Sequence, residues 1–351
     1  MAPRFSVLLP THQRADVVGY AIESVLAQTE PSFELLVVGD GCTDETAAVV
    51  GAFDDERIRW FDLPKAPGFG YANRNLGLRE ARGELIAFLA HDDLLLPDHL
   101  EQLGPVFDDP AIEWAYSRPL WMDDEGVAVP FAVDLRRPDA LKAFLEVDNA
   151  VPAVCVVHRR SCLDRYGDWP EDVERGGDWE LWRRIVGPSG GTNLAYVPAV
   201  TSIHFRARWR GQSGWGPQPL SDWLEAAHDG WWPRELRVEV PGDALPQAAV
   251  WQTLSGDGRG FTHRLRVGVV EVIDGFAWSA QGLRWNWMHE AGRADRLQAQ
   301  LDEQALETDG IRQRLVAQQA LNQEMIGSTS WRTTRPARRL GRAVRRRLRG
   351  A

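Results

Sequence analysis

Two aspartates stand side by side at the end of an apolar run. Asp92 and Asp93 follow residues 84–90, whose composition predicts a buried strand. Adjacent carboxylates at the end of such a strand repel each other unless a cation neutralises them. Mg²⁺ and Mn²⁺ take such hard oxygen ligands, usually together with substrate phosphates. The pair therefore suggests a divalent cation site, although the same aspartates could merely begin a loop and cap the helix predicted after Pro97.

The elements that must position these residues alternate along the first half of the chain. Predicted strands alternate with predicted helices, at residues 5–9, 15–28, 33–38, 43–53, 58–61, 71–81 and 84–90. This order predicts an α/β fold with a mostly parallel central sheet, in which ligands bind at the carboxyl ends of the strands. Thr11, His12 and Arg14 follow the first strand. Asp40 follows the second strand, so we expect it to share an edge with the aspartate pair.

Composition excludes several classes of protein. Of the 351 residues, 44% are hydrophobic and 26% charged, which is typical of a globular chain with a catalytic domain and an accessory part. No apolar run approaches the ~18 residues of a membrane span. The three cysteines form no CxxC pair, which argues against a disulfide framework or a structural zinc site. With no secretory leader pattern at the start, the sequence predicts a cytoplasmic protein.

Four motifs together identify a family. They occur in order at residues 5–14, 35–46, 73–77 and 83–98, reading FSVLLPTHQR, LLVVGDGCTDET, NRNLG and GELIAFLAHDDLLLPD. The segment resembles the family 2 glycosyltransferases of GT-A fold, of the bacterial cell-surface polysaccharide type. The resemblance implies transfer of a sugar, with inversion, from a nucleotide-sugar donor (UDP, GDP or dTDP type) to a glycan or lipid-linked acceptor. It also implies Mg²⁺ or Mn²⁺ as cofactor.

The family's donor and metal residues can be carried over by position. Donor binding is implied for Thr11, His12, Arg14, Asp40, Arg74 and Asp92. Asp93 matches the direct metal ligand, and His204 could join it there or be only a hydrogen-bonded structural residue. An arginine fork suits a diphosphate, although Arg74 could instead form a surface ion pair with Glu80.

A second motif supplies the general base. An inverting transfer needs a carboxylate that accepts the acceptor's proton, and residues 175–185 resemble the family's motif at a helix start. Asp178 takes the base position there. It could also be only a helix N-cap, and Glu180 is the alternative carboxylate. Trp179 and Trp182 are candidates to contact the acceptor, and Trp209 and Trp215 are weaker candidates.

Three departures from the family pattern leave a second interpretation open. Gly39, Ala90 and Gly177 replace acidic residues of the family motifs. They would suit a non-catalytic module that binds a nucleotide or glycan within a complex. A nicotinamide-dependent dehydrogenase is a poor third interpretation, because residues 68–73 lack the third glycine of the dinucleotide fingerprint and do not directly follow a strand.

The second half of the chain predicts accessory regions. We expect a GT-A domain at 1–234, a helical accessory region at 235–288, a long helix or weak coiled coil at 289–327 and a basic amphipathic tail at 328–351. Leucines and other apolar residues in 289–326 share a seam that could support self-association, but polar residues interrupt it. The seam comprises Leu297, Leu301, Ile311, Leu315 and Met325, with interruptions at Gln304, Thr308, Gln318 and Asn322.

The net charge of −10 conceals an asymmetry. Residues 331–351 carry nine arginines and no acid, which leaves −19 on the rest. Apolar residues recur every four positions in this tail, at Leu340, Val344 and Leu348, a pattern typical of a helix on an anionic membrane surface. Residues 332–349 could therefore bind the inner face of the cell membrane, or remain a solvated tail. The acidic body argues against nucleic acid as a partner.

Overall fold

The computed structural model describes residues 2–205, 227 and 232–327. The chain divides into two compact units, with the boundary between Phe276 and Ala277. The predicted domain boundaries after residues 234, 288 and 327 remain predictions. Trp209, Trp215 and the basic tail at 328–351 lie outside the described residues.

Eleven strands occur in the described part of the chain. They are β1 (Phe5–Thr11), β2 (Phe33–Asp40), β3 (Ile58–Leu63), β4 (Leu85–Phe88), β5 (Leu94–Leu95), β6 (Trp114–Ser117), β7 (Leu120–Met122), β8 (Ala128–Pro130), β9 (Val156–Arg159), β10 (Leu194–Val197) and β11 (Ser202–Phe205). The described helices are α1 (Val18–Leu26), α2 (Thr46–Gly51), α3 (Tyr71–Arg79), α4 (His99–Leu103), α5 (Pro138–Glu146), α6 (Ser161–Tyr166), α7 (Gly177–Val186), α8 (Pro246–Gly256) and α9 (Gly258–Gly327).

The main sheet has seven strands in the order β10-β6-β9-β4-β1-β2-β3. Strands β3, β2, β1 and β4 run parallel, while β9 is antiparallel to both of its neighbours. All eight residues of β2 are buried, as expected for a strand covered on both faces. The predicted α/β class with a mostly parallel sheet is confirmed. The carboxyl ends of β1, β2 and β4 therefore meet at one edge.

A smaller sheet lies beside the main one, in the order β5-β11-β7-β8. Its core includes Leu94, Met122 and Phe205, and it continues into α8 and the start of α9 through Val250 and Leu265. Residues 194–205 are divided between β10 in the main sheet and β11 in the smaller one. This division carries the chain from one sheet to the other just before His204.

A bidentate ion pair holds the start of α9 against the rest of the first unit. The guanidinium of Arg266 contacts the two carboxylate oxygens of Asp98 at 2.8 and 2.9 Å, and it also donates to the carbonyl of Val200. Helix α9 continues to Gly327, and residues 277–327 belong to the second unit. No described helix is long and apolar enough to cross a membrane.

Candidate active site

The carboxyl end of β4 meets β11 at a carboxylate–histidine pair. Leu94 and Leu95 of β5 pair antiparallel with Ile203 and Ser202 of β11, so continuing the register by one residue places Asp93 opposite His204. His204 Nδ1 donates to Asp93 at 2.8 Å from Oδ2 and 2.9 Å from Oδ1, and the backbone N–H of Phe205 donates to Oδ1 at 3.1 Å. Burial raises the pKa of the Asp93 carboxyl, while the contact with His204 acts in the opposite direction.

His91, which directly precedes the aspartate pair, lies among charges of both signs. His91 Nε2 is 4.0 Å from the carboxylate of the buried Asp92. Burial lowers the pKa of His91, and of the nearby charges Asp92 raises it while Arg14 and Arg74 lower it. Two arginines from different elements therefore lie within electrostatic range of His91, next to the aspartate pair. His91 was not among the residues singled out in the sequence, although it precedes the pair directly.

The ends of β1 and β2 form the next part of the edge. His12 is exposed, and its Nδ1 donates to the carbonyl of Asp40 at 2.7 Å, which fixes the ring beside the end of β2. Thr11 is buried, and its hydroxyl has no hydrogen-bond partner among the described residues. A buried hydroxyl of this kind requires an explanation, and a bound polar ligand would supply one.

The carboxylate of Asp40 organises the loop between β3 and α3. Lys65 Nζ contacts its Oδ2 at 2.7 Å, while the backbone N–H of Ala66 and the side-chain amide of Asn73 donate to its Oδ1, both at 2.7 Å. Asp40 therefore fixes this loop as well as lying at the predicted nucleoside position. Asn73 occurs in the NRNLG motif, so its importance was readable from the sequence. Lys65 carried no comparable signal.

Tyr71 connects the start of α3 to the start of α7. Its hydroxyl accepts a hydrogen bond from the backbone N–H of Gly177 at 3.0 Å, and its ring stacks on Trp169. The guanidinium of Arg74 lies over both rings, 5.0 Å from the centre of Tyr71 and 4.9 Å from that of Trp169. Glu80, the alternative partner considered for Arg74, pairs with Arg59 at 3.0 Å. Through Tyr71, the helix start that carries Asp178 is fixed to the helix that carries Arg74.

Asp178 lies in the first turn of α7 and is partly exposed. The N-cap of this helix is Gly176, in the left-handed conformation with φ 70°, so the interpretation of Asp178 as the N-cap residue is wrong. Glu180, the alternative carboxylate, is 3.3 Å from Arg183. The described geometry thus leaves Asp178 as the carboxylate at the very start of the helix.

One predicted acceptor contact is wrong. Trp182 is fully buried and packs in the core against Phe88 and Trp114, because it lies on the inner face of α7. It therefore lines no cleft in this structure. Trp179 is partly exposed, donates through Nε1 to the carbonyl of Phe144 and lies under Arg183, so it remains a candidate.

Two of the departures from the family pattern have a steric cause. A Cβ on Gly39 would lie 2.3 Å from the indole of Trp60, whose ring fills the space of the missing acid. A Cβ on Gly177 would lie 2.7 Å from the ring of Tyr71. The family's acids cannot occupy these positions unless the aromatic rings move. Nothing in the structure explains Ala90.

The metal-binding side chains at this edge suit a cation that a bound substrate also helps to coordinate. Among the described residues, no group of three or more His, Cys, Asp or Glu could hold a metal ion by itself. Mg²⁺ commonly takes one or two carboxylates and completes its coordination with substrate phosphates and water. Asp93 supplies one such carboxylate, with Asp92 beside it, and the hydrogen bond from Nδ1 of His204 fixes the Asp93 carboxylate. Because Nδ1 faces Asp93 and Nε2 faces away, an ion held by Asp93 would not reach Nε2, so His204 acts here as a positioning residue.

Comparisons with known proteins agree with this geometry. Residues 6–126 match the model of Glycosyl transferase family 2. The succinoglycan biosynthesis protein ExoO of Rhizobium meliloti is 40% identical over 101 residues, which cover 29% of this chain and 29% of ExoO. A Campylobacter jejuni GalNAc(5)-diNAcBac-PP-undecaprenol beta-1,3-glucosyltransferase is 36% identical over 103 residues, 29% of this chain and 33% of that enzyme.

A solved structure extends the likeness to the fold. TarS of S. aureus, residues 1–349 in complex with UDP-GlcNAc, superposes with a TM-score of 0.50 and 18% identity over 63% of this chain and 64% of TarS. The chain matches about a third or less of the length of the two curated relatives described above. The motifs, the strand-end site and the family match converge on one assignment: residues 6–126 of this chain form a glycosyl transferase family 2 domain of GT-A fold.

Proposed function

We propose that the chain is a metal-assisted inverting glycosyltransferase. It moves a sugar from a nucleotide-sugar donor to a glycan or lipid-linked acceptor, with Asp178 as general base. The observation that carries the proposal is the hydrogen bond between Tyr71 and Gly177. Because Tyr71 also lies under Arg74, this bond holds a candidate base and a candidate diphosphate ligand in one site.

The donor site would use the three strand ends together. The ring of His12 can stack on a nucleotide base, the hydroxyl of Thr11 can bond to the nucleoside, and Asp40 can hold the nucleoside while it fixes its loop. Arg14 and Arg74 supply positive charge for a diphosphate. The TarS complex with UDP-GlcNAc supports this class of donor.

The reaction is a single displacement at the anomeric carbon. The acceptor oxygen forms a bond to that carbon while the bond from the carbon to the diphosphate oxygen breaks, and the bonding electrons leave with the nucleoside diphosphate. The acceptor's hydroxyl proton passes to the carboxylate of Asp178. Attack on the face opposite the leaving group inverts the configuration. The partial exposure of Asp178 at the start of α7 is consistent with access by an acceptor.

A divalent cation completes the proposal. Mg²⁺ or Mn²⁺, held by Asp93 while His204 fixes the Asp93 carboxylate, would offset the negative charge of the leaving diphosphate. Asp92 and His91 lie beside this pair, where Asp92 contributes further negative charge and Arg14 and Arg74 oppose it. Burial of Asp92 and Asp93 strengthens each of these interactions, because the local dielectric constant is low.

The relatives and the tail support the proposed acceptor and location. ExoO is named for succinoglycan biosynthesis and the Campylobacter relative for an undecaprenol-linked glycan, which supports a polysaccharide or lipid-linked acceptor. We place the protein in the cytoplasm at the inner membrane face. The arginines of residues 332–349, which lie outside the described part, would bind anionic lipid there.

Calorimetric titration with UDP-, GDP- and dTDP-sugars, each with and without Mn²⁺, tests this function. The proposal predicts binding of at least one donor that strengthens with Mn²⁺, together with slow release of nucleoside diphosphate. Metal-dependent binding without any release would favour the non-catalytic module instead. Absence of binding to all three classes of donor would refute both.

A further inference from the structure

Helix α9 carries a continuous heptad seam in the second unit, longer than the one apparent from its leucines alone. Starting at Leu283, alternate steps of four and three residues reach Met325 without a break in spacing. Eight of the thirteen positions are apolar. The seam comprises the d positions Leu283, Glu290, Leu297, Gln304, Ile311, Gln318 and Met325, and the a positions Trp287, Ala294, Leu301, Thr308, Leu315 and Asn322.

The seam residues are exposed. Leu301 is 59% exposed, Leu315 57% and Trp287 70%, and no residue of 277–327 is buried. A long helix in water takes most of its stability from packing of an apolar face, and here that face is open. Repetition every 3.5 residues on average is the pattern by which two helices wrap round each other.

We propose that residues 283–325 form a parallel, in-register two-stranded coiled coil with a second copy of this chain. Asn322 and Gln304, two of the five polar seam positions, support an identical partner. Glu290, which would also meet its own copy, is 3.6 Å from Arg293 of the same helix. In such a dimer Asn322 meets Asn322 of the second copy and Gln304 meets Gln304, so the polar groups can bond to each other across the axis. A buried asparagine at an a position is a known device for fixing register in two-stranded coils.

The residues that flank the seam agree with the same arrangement. In a parallel in-register dimer each g position faces the e position of the next heptad on the other helix. This pairs Glu307 with Arg312 of the second copy, an attractive contact that occurs twice in the dimer. It also pairs Leu321 with Ile326, both of which are exposed in the single chain. The remaining g–e pairs bring no two like charges together.

This inference goes beyond the proposed function and does not depend on it. Light scattering and sedimentation of the full chain at tens of micromolar should give the mass of a dimer. The double variant Leu301→Lys/Leu315→Lys should raise the dimer dissociation constant about 100-fold or more, because it buries charge in the seam. The control Leu306→Lys/Val316→Lys changes two exposed apolar residues off the seam and should leave the dimer intact.

Cross-linking tests the direction and register. In a Cys42→Ser background, in which the other two cysteines are buried, Asn322→Cys should form a disulfide-linked dimer on mild oxidation. Gln323→Cys, one position off the seam, should not. A dimer that fails to cross-link at position 322 would overturn the parallel register. A monomeric wild-type chain would overturn the proposal as a whole, and so would equal effects of the seam and control variants. A monomer whose helix binds lipid vesicles instead would overturn it too.

Discussion

Asp93 and His204 are 111 residues apart in the chain, yet His204 Nδ1 lies 2.8 Å from Oδ2 of Asp93. The contact arises because the two-residue strand β5 pairs antiparallel with β11. The hydrogen bond from Nδ1 fixes the Asp93 carboxylate, so His204 acts as a positioning residue. This pair joins the main sheet to the smaller one at the candidate metal position.

Asp93→Asn should lower the rate of nucleoside diphosphate release about 100-fold or more, because the substitution removes the charge that holds a cation while keeping the shape. Mn²⁺ should no longer strengthen donor binding in a calorimetric titration. Asp62→Asn, an exposed acid at the end of β3, serves as control and should behave as wild type. Undiminished Mn²⁺ dependence in Asp93→Asn would exclude Asp93 as a ligand.

Asp178→Asn should lower transfer by a factor on the order of 100 to 10,000, the usual contribution of a general base. Donor affinity should stay unchanged, since the residue acts on the acceptor. The matched control is Glu180→Gln in the same helix turn, which breaks only the contact with Arg183. If Glu180→Gln abolished transfer and Asp178→Asn did not, the base would be Glu180.

Restoring the family's acid at position 39 should destabilise the protein. In Gly39→Asp the new Cβ meets the indole of Trp60 at 2.3 Å, and such overpacking typically costs about 1–3 kcal/mol. Urea unfolding measures the loss, and Trp60→Ala in the same background should relieve the clash. Gly51→Ala is the control, because its Cβ would meet nothing within 4 Å. Equal stability of Gly39→Asp and Gly51→Ala would show that the indole of Trp60 moves aside at no cost in free energy.

Because His99 and His158 are buried, we expect the free energy of unfolding to decrease at acidic pH. Burial lowers the pKa of His99 and of His158 to about 4. Between that value and the ordinary ~6.5 the unfolded chain binds protons that the folded chain does not, so the free energy of unfolding decreases as pH falls. From pH 8 to pH 5 each histidine should contribute a loss of about 2 kcal/mol.

Urea unfolding at several pH values measures this effect. His158→Phe should flatten the pH dependence by roughly its own share, because the ring already packs among aromatic residues at Phe88 and Trp182. An unchanged slope in His158→Phe would mean that the pKa of this histidine in the folded chain equals its value in the unfolded chain.

Much of the fold could be predicted from the sequence because its signals are local. Apolar runs such as β2 and the punctuation between them predict the parallel sheet, and the motifs at the strand ends predict which side chains face a ligand. The pairing of β5 with β11 could not be predicted, since two residues give no periodicity. The burial of Trp182 and the rings that require Gly39 and Gly177 depend on distant neighbours, which spacing does not reveal.

We propose that the strand-end site transfers a sugar from a nucleotide donor. The most direct measurement of this transfer is the release of nucleoside diphosphate by the purified full chain with Mn²⁺ and whichever of the UDP-, GDP- and dTDP-sugars binds. We predict steady release by wild type and loss of nearly all of it in both Asp93→Asn and Asp178→Asn. No release by wild type, or equal release by the two variants and wild type, would contradict it.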